Sequence, residues 1–149
     1  MAAGHDAREA MFNGQRSDGS PVRRPISPHL QSYDMLQMTS ALSISHRITG
    51  VAWTVGLAYM VWWLAAAASG PRAFGVVQWF SGSFVGVIVL GGLTAVAWFH
   101  TLNGVRHLVW DYGLGYDIPA TYRSGRMVLI GTAVLTIVTW IVALVAWLR

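Results

Sequence analysis

Residues 48–68 read ITGVAWTVGLAYMVWWLAAAA, a run from Ile48 to Ala68 without a single charged side chain. A bilayer core about 30 Å thick asks for roughly 20 apolar residues in a helix, so this run can cross it. Two more windows follow: Ala73–Val105, whose only ionisable group is His100, and Met127–Leu148. A backbone in lipid must satisfy its own N–H and C=O groups, which a single span does only as a helix. The sequence therefore predicts an all-α integral membrane protein with three transmembrane helices.

Composition agrees. Of 149 residues, 54% are hydrophobic and 11% charged, against about 25% charged in a soluble globular chain. So few charges cannot cover a water-facing surface. The chain has no cysteine, which excludes disulfides, iron–sulfur ligation and covalent haem attachment through a C-x-x-C-H motif. The formal charge of +4 comes from arginine alone. Because the arginines flank apolar spans, they read as topology signals and not as a nucleic-acid surface.

Arg8, Arg16, Arg23, Arg24 and Arg47 precede or open the first span; Arg106, Arg123 and Arg126 surround the connection between the second and third; Arg72 and Arg149 lie on the other side. The positive-inside rule then predicts a cytoplasmic N-terminus and a periplasmic C-terminus. Residues 1–40 read as a polar cytoplasmic segment interrupted by Pro21, Pro25 and Pro28, and residues 41–149 as the membrane domain. The N-terminal stretch lacks the apolar core of a signal peptide. Asp6, Glu9 and Asp18 fit a transit peptide poorly, which points to a bacterial inner membrane. Ser69-Gly70-Pro71 reads as the outer turn, and Gly113, Gly115 and Pro119 mark the inner loop. Gly82 and Gly86 form a small-xxx-small pair that suggests close helix packing.

Ionisable groups inside a membrane are costly and mark functional sites by default. Ser43, His46 and Arg47 sit at the entrance of the first span, and His100, Arg106, His107 and Asp111 in the last part of the second. The topology brings both groups to one end of the bundle. Ser43 and Arg47, four residues apart, share a helical face and offer donors to a carbonyl oxygen. Equally, Arg47 can snorkel to lipid phosphates and Ser43 can bond back to its own helix. His100 lies eleven residues before Asp111, about 16 Å along the helix and close to the midplane. Its imidazole suits either a metal or a hydrogen bond to another helix, and Gly104 leaves space on its face.

Arg24-Pro25-Ile26-Ser27-Pro28-His29-Leu30, the block Ser43-Ile44-Ser45-His46-Arg47-Ile48-Thr49-Gly50 and the H-x-x-x-G-x-R-H-x-x-x-D block from His100 to Asp111 together resemble the cytochrome b556 subunit family of succinate dehydrogenase. The resemblance runs from about residue 24 to the end, with the third span matching only as an apolar helix. It implies a membrane anchor for a complex with a flavoprotein, an iron–sulfur protein and a second anchor. It also implies one haem b, shared with that second anchor, and a quinone as electron acceptor. On this resemblance His100 is an axial haem ligand, Ser43 and Arg47 belong to the quinone pocket, and His46, Arg106 and His107 lie near the haem propionates. Ser45 replaces a larger apolar residue of the family pattern. His29 belongs to the first block and has no assigned role. The alternative is a purely structural anchor that carries neither haem nor quinone.

Overall fold

The computed structural model describes residues 13–23 and 34–149. The block from Arg24 to Leu30, with His29, and Tyr33 lie outside the described residues. Residues up to Met35 and those from Leu36 onward form two separate compact units.

In the first unit, β1 (Asn13–Gln15) pairs antiparallel with β2 (Pro21–Arg23), with Gly14 opposite Val22. The Asp18 carboxylate closes the turn by accepting from Ser20 N at 2.9 Å and Ser20 Oγ at 2.7 Å. These donors hold its carboxyl below the usual carboxylate range. The hairpin is a small departure from the all-α expectation, since strands of three residues are too short to show a period of two.

The second unit contains α1 (Met38–Ser69), α2 (Pro71–Gly82), α3 (Phe84–Asp111) and α4 (Ile118–Trp147). Of these, α1, α3 and α4 are long and apolar enough to cross a membrane, as the sequence predicts. Gly70, at φ 114°, makes the turn out of α1, and Pro71 opens α2, where its missing N–H costs nothing.

The uncharged stretch from Ala73 to Val105 is two helices, not one. Ser83 adopts an extended backbone (φ −70°, ψ 157°) and caps α3 by accepting from Gly86 N at 3.1 Å. A β-carbon at Gly86 would collide with the Phe80 carbonyl of α2, whereas Gly82 faces open space. The helix–helix groove suggested by the Gly82/Gly86 pair is thus absent: Gly86 serves the tight turn between α2 and α3. Tyr59 of α1 hydrogen-bonds Ser81 of α2, and Trp62 and Phe80 pack beside them.

At the opposite end, Gly113 and Gly115 turn the chain at φ 79° and 76°. Asp117 then caps α4 by accepting from Ala120 N at 3.0 Å, with Pro119 in the first turn. The small core lies near this end, where Leu42, Phe99 and Val128 meet under Met38 and Leu102. Gly125 lets α4 approach α1, because a β-carbon there would sit 2.8 Å from Leu42 Cδ1 and 2.9 Å from Met38 Sδ. This packing brings the polar ends of α1, α3 and α4 together.

Candidate functional site

His46 of α1 lies at the centre of a cluster of rings. Its imidazole stacks on that of His100 at a centroid distance of 4.1 Å, 11° from parallel, and meets His107 edge-on at 5.0 Å. His107 in turn stacks on Trp110 at 5.3 Å. Two histidines of α3 separated by two turns therefore converge on one histidine of α1. The sequence placed these residues at the same end of the bundle; the stacking depends on how α1 and α3 pack.

The tautomer of His100 follows from its partners. Nδ1 lies 3.2 Å from the His46 carbonyl oxygen and 3.4 Å from Thr49 Oγ1. A carbonyl only accepts, and the Thr49 hydroxyl already donates to the carbonyls of Ser45 and His46 at 2.8 and 2.9 Å. Nδ1 must then carry the proton, which in a neutral ring leaves the Nε2 lone pair free. Gly50 shapes the space beside the ring: a β-carbon there would come within 3.2 Å of His100 Cε1. At Gly104, by contrast, a β-carbon would lie 3.9 Å from His46 Cε1, so the room it leaves is beside His46 and not beside His100.

His46 Nδ1 and His107 Nδ1 are buried with no hydrogen-bond partner among the described residues. Buried polar atoms normally find partners, so two orphans in one cluster point to a group that comes from outside the chain.

Ser43 lines a cleft of about 370 Å³ together with Thr39, Arg106, His107, Trp110 and Asp111. Thr49, Thr54 and Ser69 on the same helix donate their hydroxyls back to backbone carbonyls. Ser43 makes no such bond among the described residues, so its hydroxyl is available to the cleft. Arg47 shares the helical face but is exposed and is not among the residues that line the Ser43 cleft.

Arg106 is almost fully buried and faces the other neighbour. Its Nε donates to Ser124 Oγ at 3.0 Å, Nη2 to the Thr121 carbonyl at 3.1 Å and Nη1 to Asn103 Oδ1 at 3.4 Å. The guanidinium also lies 4.0 Å from the centre of the Trp110 ring, an attractive cation–π geometry. Two of its five N–H groups remain free. Asn103, completely buried, and Trp110 escaped the sequence reading. The signal for Asn103 was its spacing, three residues from both His100 and Arg106.

The chain as a whole is similar to known proteins. The family described as succinate dehydrogenase/fumarate reductase transmembrane subunit matches residues 20–139. The succinate dehydrogenase cytochrome b556 subunit of Paracoccus denitrificans is 41% identical over 126 residues, covering 85% of this chain and 96% of that protein. The subunit of the same name from Rickettsia felis is 36% identical, over 80% of this chain and 92% of its own length. The human mitochondrial cytochrome b560 subunit is 33% identical, over 73% of this chain and 65% of its own.

Proposed function

We propose, since the chain belongs to the succinate dehydrogenase/fumarate reductase transmembrane subunit family, that it anchors such a complex by its three spans and contributes one axial ligand of a haem b and part of a quinone-reduction site. The observation that carries this reading is the free Nε2 of His100, with the Nδ1 proton held by the His46 carbonyl at 3.2 Å. A ligating histidine is commonly oriented this way, its second nitrogen bonded to a carbonyl that fixes tautomer and ring plane.

The residues present fit a haem. His100 is only partly buried and offers a neutral imidazole lone pair at the depth of the midplane. His46 and His107 present unbonded ring nitrogens, and Arg106 has two guanidinium hydrogens to spare. These three suit the carboxylate side of the group. Among the described histidines His100 would hold the iron from this side, and a histidine of the other anchor subunit would hold it from the other. A haem held by two histidines would supply one-electron transfer in preference to oxygen chemistry.

For the quinone, Ser43 presents its hydroxyl to the cleft and donates to a carbonyl oxygen. Arg47, one helical turn from Ser43 and exposed at the same end, has its guanidinium to stabilise negative charge developing on the quinone. Nothing in the cleft resembles a succinate-oxidising centre, so succinate oxidation and the first electron transfers belong to the flavoprotein and iron–sulfur subunits. The arginine distribution supports a cytoplasmic N-terminus and a periplasmic C-terminus, and the bacterial relatives support an inner-membrane location.

The test is a reduced-minus-oxidised spectrum of the assembled complex. His100→Ala abolishes or severely perturbs the b-type signal, whereas His29→Ala leaves it intact. A normal six-coordinate spectrum in the His100→Ala complex would overturn the assignment of His100 as the ligand.

A further inference from the structure

A second groove lies on the other flank of α3. It has a volume of about 420 Å³, and its walls are apolar, with Leu102, Val105 and Val109 from α3 and Met127 and Val128 from α4. Arg123 lines its polar end. Arg106 and Trp110 line both this groove and the Ser43 cleft, so their stack is the wall between two distinct spaces.

The groove is open along its length, since Val105 and Met127 are more than half exposed. Arg123 is exposed too, and no carboxylate pairs with it among the described residues. The nearest acid in sequence, Asp117, is committed to the Ala120 backbone N–H. Arg123 lies five residues into α4, roughly 8 Å from its start, which is headgroup depth and not the hydrocarbon centre. A long apolar trough ending in an unpaired cation asks for an amphiphile with a chain and an anionic head. A neutral quinone lacks the charge that would match Arg123.

We propose that this groove holds one acyl chain of an anionic phospholipid, with its phosphate on Arg123. Basic pockets between transmembrane helices recognise anionic headgroups in this way, and one arginine at the surface is worth about fivefold in lipid affinity. The site needs only the membrane embedding of the chain and is independent of the haem and quinone assignments.

Native mass spectrometry of the purified, assembled complex tests it, after delipidation and re-addition of phosphatidylglycerol or phosphatidylcholine. The intact complex retains one phosphatidylglycerol that Arg123→Gln loses, with retention down roughly fivefold. Val105→Trp, which fills the trough, loses the same molecule. Arg126→Gln removes an exposed arginine outside the groove and leaves retention unchanged. Three results overturn the proposal: equal retention of phosphatidylcholine, an equal loss in Arg126→Gln, or full retention in Val105→Trp. Failure of the Val105→Trp complex to assemble also overturns it, because a protein partner then covers the groove.

Discussion

The two flanks of α3 are built on opposite terms. Toward α1 it presents imidazoles: His100 and His107 gather around His46, and two of the three rings keep a buried nitrogen with no partner. Toward α4 its donors find acceptors, with Arg106 on Ser124 and Thr121 and Trp98 Nε1 on Thr139 Oγ1 at 3.0 Å. On that flank the orphan is the Thr136 hydroxyl. An unsatisfied buried polar group costs about 1 to 3 kcal/mol, so the α1 flank is stable as built only if something else supplies the missing bonds. The α4 flank leaves one such hydroxyl and is otherwise tied by side-chain bonds across the helix pair. The two faces of one helix thus differ in kind: unbonded imidazoles on one, interhelical hydrogen bonds on the other.

The comparison is sharpest at the quinone. Arg47→Ala lowers quinone-dependent turnover by roughly 10- to 100-fold, the loss of a charge-assisted hydrogen bond of about 1.5 to 3 kcal/mol. Ser43→Ala costs less than tenfold, about 1 kcal/mol. Both spare succinate oxidation by an artificial acceptor that takes electrons from the soluble subunits. Steady-state kinetics with the two acceptors check this, and unchanged quinone kinetics at both positions would make the α1 flank structural as well.

Arg106→Ala attacks the other flank. Its two bonds to α4 are worth about 1 to 2 kcal/mol together, so the complex melts earlier, while quinone kinetics change less than in Arg47→Ala. Arg106→Lys does not restore the loss, because an ammonium cannot reproduce the fork that reaches Ser124, Thr121 and Asn103. Restoration by lysine would show that charge alone matters there. The smallest effect is Trp98→Phe, which removes one interhelical bond worth about 0.6 kcal/mol and lowers the melting temperature slightly without touching the haem spectrum. A spectral change in that variant would break the separation between the flanks.

The sequence made some of this legible. Uncharged length alone located the spans, and the arginine count with the topology brought His46 and His100 to one end. Composition could not reveal the break at Ser83, which is a capping event inside an apolar run. Nor could it reveal that Ser43 lines the cleft with Arg106 and His107 while Arg47 is exposed beside it, because a shared face on an isolated helix says nothing about the neighbour. Asn103 and Trp110 were invisible for the same reason: their roles arise from contact with α1, α4 and Arg106.

The core is thin: among the described residues only Val77 and Asn103 are fully buried larger side chains, while the outward faces of α1, α3 and α4 are valine, leucine, isoleucine and tryptophan. This sets the order of the chain's life. Lipid must take the helices first, since no arrangement of them alone hides those faces from water. Helix association and partner docking come second, driven by close packing and hydrogen bonds and not by escape from water. The chain by itself is therefore inserted but unfinished, with two buried imidazole nitrogens unbonded among the described residues, a defect that lies inside the membrane itself.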